Sequence, residues 1–194
     1  MLAALLSAPL ASAQSSPAAD PANEKAASTG PTLSYQPPTQ EERFRTYLRH
    51  TYSLGSVLEA AARGGIQQAR DRPSQWQEGA QADGERVASS MGMIAVRGTT
   101  NYLLADLFRE DLRYEPNRDS KVKAAFEDTF TCRRGSDGHR ALSVARLIGP
   151  IAGSVIATST WYPRGYGRRE IVRETAITYG LVFVRNLVRD SFRH

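Results

Sequence analysis

The sequence contains very few of the side chains from which most enzyme and metal sites are built. Its 194 residues include one cysteine, Cys132, and three histidines, at positions 50, 139 and 194. A lone cysteine excludes an intramolecular disulfide and any multi-cysteine zinc or iron–sulfur site. The motifs G-x-S-x-G and H-E-x-x-H and the phosphate-binding P-loop do not occur. We therefore expect no metal, no cofactor and no catalytic residue that the sequence can identify.

Lysine is also scarce, and the basic charge is unevenly placed. Only three of the 25 basic residues are lysines, and the formal net charge is +5. From Arg133 onward, eleven arginines are accompanied by only four acidic residues. The length suits one folded domain, and the charge favours an anionic partner.

The first residues have the pattern of an export signal. An apolar run, Leu2 to Leu10, precedes the small residues Ala11, Ser12 and Ala13. We interpret residues 1–13 as a signal peptide, which predicts a protein in the periplasm or associated with the envelope. No basic residue precedes the run, which favours a translation start upstream of Met1. Export argues against nucleic acid as the partner and favours a protein, an anionic lipid or another anionic envelope polymer.

Residues 14–38 are rich in serine, alanine and proline and contain few large apolar side chains. Such a segment cannot bury enough surface to offset the entropy of ordering it, so we predict disorder. It is either a tether or a pro-segment that is removed with the signal.

A helical domain is predicted over residues 39–194. Thr39 and Glu42 match a capping box. The helix continues with an apolar stripe that we expect to be buried, formed by Phe44, Tyr47, Leu48, Thr51 and Tyr52. In the next segment, 55–71, the apolar positions at helical spacing are Val57, Leu58, Ala61, Gly65, Ile66 and Ala69. Further helices are predicted over 77–109, 120–131, 142–156 and 168–192. No two-residue alternation occurs, and 133–140 is predicted to be a polar loop, so the fold class is all-α, a bundle of about five to six helices.

Small residues recur every fourth position in the helix that begins near 142. These are Ala145, Gly149, Gly153 and Ala157, which allow close backbone approach. After Arg146 the same helix is part of an uncharged stretch, 147–163, at the lower limit of transmembrane length. Three interpretations remain: tight packing in a soluble bundle, partial membrane insertion, and a homo-oligomer formed through Gly149 and Gly153.

Two connections carry candidate binding residues, namely Arg133, Arg134, His139, Arg140, Trp161, Tyr162, Arg164, Arg168 and Arg169. At one end of the bundle they would form an anion-attracting rim with aromatic neighbours. However, the helix of about 141–160 begins at one connection and ends at the other, which favours opposite ends. The alternative is a set of separate solvated arginines.

A small chemical hypothesis concerns Asp137, His139 and Cys132. A carboxylate two residues from an imidazole could serve a small exported hydrolase. Cys132 is either a reactive thiol, an intermolecular disulfide partner or a buried inert side chain.

Several segments together carry a family resemblance. They are Thr129 to Thr131, the basic glycine-containing loop, the Trp161-Tyr162-Pro163 sequence and the ending Asn186 to Phe192. In these the chain resembles uncharacterised exported helical proteins of bacteria, a likeness that implies export but no activity. The leading hypothesis is therefore a non-catalytic helical protein acting at the cell envelope through protein or lipid contacts, and the alternative is the small hydrolase.

Overall fold

Six α-helices and a small sheet make up the part of the chain described by the computed structural model, residues 35–76, 79–113 and 120–191. The elements are α1 (Gln40–Thr51), α2 (Leu54–Ala69), a 3-10 turn (Ser74–Trp76), α3 (Ala80–Leu107), β1 (Glu110–Asp111), α4 (Lys121–Phe130), β2 (Thr131–Arg134), β3 (His139–Leu142), α5 (Val144–Thr160) and α6 (Arg168–Ser191). The all-α class and the helix number are confirmed. The predicted signal peptide, 1–13, and the linker up to residue 34 lie outside the described residues.

The end of the predicted linker lies against the folded domain. The Tyr35 hydroxyl donates to the Asp111 carboxylate at 3.1 Å, and the Arg133 guanidinium lies 5.4 Å from the centre of the Tyr35 ring. Arg113 donates to the Gln36 carbonyl at 2.7 Å. These contacts attach residues 35 and 36 to the sheet.

The loop predicted at 133–140 is instead part of an antiparallel sheet of order β1-β2-β3. Arg133 pairs with Arg140, and Glu110 pairs with Arg134. The turn between β2 and β3 contains Gly135 at φ +74° and Gly138 at φ +66°, a conformation that glycine adopts without steric cost. The strands were not predicted because polar side chains occupy both faces, which removes the apolar alternation.

The ends of the helices follow local rules. Thr39 forms the predicted capping box with Glu42, in which the Thr39 amide donates to the Glu42 carboxylate at 2.8 Å. Ser53, Ser120 and Ser143 cap α2, α4 and α5 through their side-chain oxygens. Each cap satisfies a backbone donor that the helix cannot satisfy itself.

The small-residue face of α5 packs on α3. Ala145 and Ala157 are completely buried, and a Cβ atom at Gly153 would lie 2.9 Å from the Met93 carbonyl oxygen. A Cβ atom at Gly149 would overlap the Asn101 side chain. Because α3 of the same chain occupies this face, Gly149 and Gly153 are not available to a second copy in this fold.

The helices bury polar faces and expose apolar ones, which contradicts the sequence expectation. In α2 the buried positions include Glu59, Arg63 and Gln67, whereas Leu58 is 61% exposed. In α1 the expected stripe is buried at Thr51 but exposed at Phe44, Leu48 and Tyr52. Period alone locates a stripe but does not decide which stripe faces inward.

The interior is consequently built from ion pairs and small residues. The largest completely buried side chains are Arg63, Arg86, Gln67, Glu110, Thr51 and Thr129, apart from Pro73. The buried apolar side chains are mostly alanines, with Met93, Ile94 and Tyr162 the larger exceptions. None of the described helices is both long enough and apolar enough to span a bilayer.

Candidate functional site

An open groove of about 770 Å³ lies between the beginning of α2 and the end of α6. Leu58 and Ala62 of α2 form one wall, and Leu181, Val184 and Val188 of α6 form the other. Val184 and Val188 are about half exposed. The volume falls in the range of about 300–1,000 Å³ that is typical of small-molecule sites.

Basic side chains also line this groove. Arg49 and His50 reach it from α1, and Arg185 and Arg189 reach it from α6. A smaller cavity of about 70 Å³ lies beyond and is also lined by His50, Arg185 and Arg189. These three side chains therefore separate the apolar groove from an interior polar cavity.

Two carboxylates form ion pairs with four arginines around the cavity. Arg97 donates to both Glu59 oxygens, at 2.5 and 3.1 Å, and Arg185 donates to the same carboxylate at 2.9 Å. The second carboxylate, Asp128, pairs with Arg189 and lies 3.8 Å from Arg146. Each of these two carboxylates is therefore shared by two arginines.

The positive charge of this cluster shifts the pKa values of residues within it. Burial, and then the charges of Arg185, Arg189, Arg146 and Arg49, lower the pKa of His50 to about 3. Burial lowers the pKa of Arg185 to about 10, partly offset by Glu59. For Glu59, burial alone would raise the pKa, but Arg97 and Arg185 outweigh it and the pKa is lowered. His50 is thus neutral and Arg185 is charged at neutral pH.

A separate buried network links α2 to α6 and to the connection before it. Arg63 donates to the Glu174 carboxylate at 2.8 Å and to the Thr178 hydroxyl. Gln67 donates to the Tyr162 hydroxyl at 2.8 Å. A buried pair of this kind constrains which helices pack together more than it adds net stability.

Glu110 of β1 fixes the beginning of α5. Its carboxylate is completely buried and accepts from the Ser143 hydroxyl at 2.7 Å and from the amides of Val144 and Ala145 at 2.8 and 3.1 Å. Arg134 pairs with the same carboxylate. Burial would raise the pKa of Glu110, but these hydrogen bonds, from Ser143 and Arg134 first, lower it.

The outer face of α5 is apolar. Ile148, Ile151, Val155 and Ile156 are each about 40% exposed, and the first three lie on the side of the helix away from the small residues that contact α3. Their spacing places them on one side of the helix. The chain therefore presents an unpartnered apolar row on a helix whose other face is fixed to the core.

The residues predicted to form a basic rim lie in two separate places. Arg133, Arg134, His139 and Arg140 belong to the hairpin before α5, whereas Trp161, Tyr162, Arg164, Arg168 and Arg169 lie at or beyond its other end. The seventeen residues of α5 span about 25 Å between them. The structure therefore does not assemble the two sets into one site.

Several members of these sets have structural partners. Arg134 pairs with Glu110, and Arg140 donates to Glu127 at 2.6 Å. The Trp161 indole donates to Ser89 at 2.8 Å, and Tyr162 is buried against Trp76. By contrast, Arg164, Arg168 and Arg169 are exposed.

Asp137 and His139 are in contact at the tip of the hairpin. A His139 ring nitrogen lies 2.9 Å from the Asp137 carboxylate, and this contact lowers the pKa of Asp137. The two side chains are 55% and 71% exposed for His139 and Asp137 respectively. The pair is oriented but faces solvent.

Cys132 is a buried thiol of β2. Burial, and then the charge of Glu110, raise its pKa to about 11, so the thiol is protonated at neutral pH. Burial therefore favours the inert interpretation over the reactive and intermolecular ones, because both of these require an accessible thiolate.

Sequence analysis did not predict the basic side chains that line the groove. Arg185 and Arg189 are spaced by four residues, as are Glu59 and Arg63, and charged residues at this spacing commonly belong to a solvated helix face. The sequence carries no local signal that these residues face inward, because helical spacing groups them on one side of a helix without indicating which side is buried.

Comparison with known proteins gives no relative from which a role could be transferred. No family model, curated protein or solved structure matches the chain. Within the described ranges, no three His, Cys, Asp or Glu side chains converge on a point that could hold a metal ion.

Proposed function

We propose that the protein is an exported, non-catalytic helical protein that acts at the cell envelope by contacting anionic lipid. The observation that carries the proposal is the inverted polarity of the bundle, with buried ion pairs and outward apolar side chains. An exposed leucine alone is ordinary, but buried charges together with exposed apolar rows are informative.

The outer face of α5 is the surface best suited to this contact. Its apolar row of Ile148, Ile151 and Val155 is supported from behind by α3, so inserting the row into the interfacial region needs no unfolding. The excess of arginine from Arg133 onward adds attraction to an anionic surface. Such a helix lies in the plane of the membrane.

Vesicle flotation tests the lipid contact. The full chain should float with vesicles of phosphatidylglycerol and phosphatidylcholine, and more weakly with phosphatidylcholine alone or at high salt. Replacing Ile151 and Val155 with glutamine should reduce binding, whereas Val122→Gln, at an exposed position of α4, should not. Equal flotation of the α5 variant and wild type would contradict the proposed contact surface.

Cell fractionation tests the proposed export and envelope localisation. Export predicts a mature chain that begins near residue 14, measured by mass spectrometry, and retention in the membrane fraction predicts lipid or protein contact. An uncleaved chain in the cytoplasm would contradict export and restore nucleic acid as a candidate partner.

A small hydrolase remains the second candidate, supported by the contact between His139 and Asp137. A carboxylate that orients an imidazole is one part of a nucleophile-activating arrangement. The hypothesis predicts an activity that is lost in His139→Ala. Any hydrolytic activity that survives this substitution unchanged argues against the pair as its base.

A further inference from the structure

We propose that a second groove, between the 3-10 turn before α3 and the end of α5, binds a trimethylammonium group of the kind carried by choline. The inference goes beyond the proposed function, because it assigns a cation site that is separate from the outer face of α5 and from anionic lipid.

Both tryptophans of the chain line this groove, which has a volume of about 430 Å³. Trp76 belongs to the 3-10 turn, and Trp161 follows the last residue of α5. The remaining lining residues come from α3 and lie on one side of that helix, one turn apart, namely Glu85, Ala88, Ser89 and Gly92. The volume is within the range of about 300–1,000 Å³ that is typical of small-molecule sites.

Contacts within the protein fix the two indole rings. The Trp161 indole N–H donates to the Ser89 hydroxyl at 2.8 Å, and a Cβ atom at Gly92 would lie 3.3 Å from the six-membered part of the same ring. Trp76 packs against the buried Tyr162 ring, with the ring centres 5.5 Å apart. Trp161 is nevertheless 37% exposed, and Trp76 is half-buried. A ligand therefore meets aromatic surface that is already ordered, which lowers the entropic cost of binding.

The charge beside the rings favours a cation. Glu85 is exposed, accepts a hydrogen bond from the Gln81 amide at 3.1 Å and has no ion pair with any described residue. None of the residues that line this groove is basic, whereas arginines line the groove between α2 and α6. A carboxylate without a cationic partner, next to two indoles, suits a positive ligand because the face of an aromatic ring attracts cations.

The supply of hydrogen-bond acceptors selects the kind of cation. Among the lining side chains only the Glu85 carboxylate and the Ser89 hydroxyl accept hydrogen bonds, and the hydroxyl already accepts one from Trp161. A primary ammonium needs acceptors for three N–H groups. A trimethylammonium group needs none, and its methyl groups pack on indole rings.

Tryptophan fluorescence of the full-length chain tests the proposal, because both tryptophans line the groove. Titration with choline should give a saturable change, and tetramethylammonium should give a similar one. The analogue 3,3-dimethylbutanol, in which carbon replaces the charged nitrogen of choline, should bind about tenfold more weakly, and so should methylammonium. Sodium chloride at the same ionic strength is the blank.

Matched variants locate the site. Glu85→Gln should weaken choline binding about threefold, whereas Glu41→Gln, at an exposed position of α1 outside the groove, should leave it unchanged. Trp161→Leu should also weaken binding about threefold, and Trp161→Phe less, since the phenyl ring keeps an aromatic face and Trp76 remains as the reporter. Glu85 is exposed, so Glu85→Gln should fold even if the Trp161 variants do not.

Vesicles of phosphatidylcholine separate two sources of the trimethylammonium group. A fluorescence change with these vesicles that Glu85→Gln reduces would identify a lipid headgroup. A change with free choline and none with vesicles would identify a soluble ligand. Either result supports the site.

Three outcomes would overturn the proposal. They are the absence of a saturable change with choline, equal binding of choline and 3,3-dimethylbutanol, and equal effects of Glu85→Gln and Glu41→Gln. Equal binding of methylammonium and tetramethylammonium would identify a general ammonium site and also overturn it. Flotation with anionic vesicles through α5 is measured separately, so failure here leaves the proposed function to its own test.

Discussion

His50 offers a quantitative test of the basic interior, because it is a histidine held neutral among arginines. Its pKa is lowered to about 3 by burial first and then by Arg185 and Arg189, against an ordinary value of 6.5. At a pH between these two values, His50 is protonated in the unfolded chain and neutral in the folded chain. The free energy of unfolding that depends on His50 therefore has its full value above pH 6.5 and falls as the pH decreases towards 3.

The size of the effect follows from the width of this window. Each pH unit below 6.5 corresponds to about 1.36 kcal/mol of lost stability while the folded imidazole stays neutral. Lowering the pH from 6.5 to 5 should remove about 2 kcal/mol through this residue alone. That loss is a large fraction of the stability of a typical domain.

Urea unfolding followed by circular dichroism at pH 7 and pH 5 measures the loss. His50→Gln keeps a polar side chain of similar size but cannot titrate, so its stability should fall by about 2 kcal/mol less than that of wild type over this interval. Comparing pH dependences removes any constant packing cost of the substitution. If both proteins lose the same free energy, His50 does not lie in the strongly positive environment described here.

Three further predictions concern the framework. Glu110→Gln should lower the free energy of unfolding at neutral pH by about 2–4 kcal/mol, because Arg134 and the α5 amides lose a buried carboxylate. In urea unfolding, the difference between variant and wild type should shrink below about pH 4, where the lowered pKa of Glu110 no longer adds stability to the wild type. Gly153→Ala should lower the free energy of unfolding by about 1–3 kcal/mol, because the added methyl group would press on the Met93 carbonyl. Gly180→Ala, which has open space around it, should raise the free energy of unfolding by about 0.5–1 kcal/mol, measured by thermal unfolding. Stability changes of the same sign at both sites would contradict the α3–α5 packing. Cys132 should react with a thiol reagent roughly 100-fold more slowly than an ordinary thiol until urea unfolds the chain, and rapid native labelling would refute its burial.

Local chemistry made much of the helical framework predictable. The capping box at Thr39, the helix covering most of 77–109 and the small-residue row of α5 each depend on neighbours within one or two turns. The hairpin was not predictable in this way, since β2 and β3 have no apolar alternation and are held by pairing with each other and with β1.

The candidate site was beyond the reach of sequence reasoning. Its arginines come from α1, α3, α5 and α6, and its carboxylates come from α2 and α4. Each residue looks individually like part of a solvated helix face. Only the packing of six helices shows that these faces converge and that two carboxylates are shared among four arginines.

By itself the sequence determined where the helices start and stop, because capping, helical period and turn residues act over a few positions. The tertiary structure alone decided which side of each helix became the interior. In α2 that choice buried Glu59, Arg63 and Gln67 and left Leu58 at the groove. The physical reason is that a buried charge is tolerated only when a partner from a distant part of the chain neutralises it, and no local pattern records that partner.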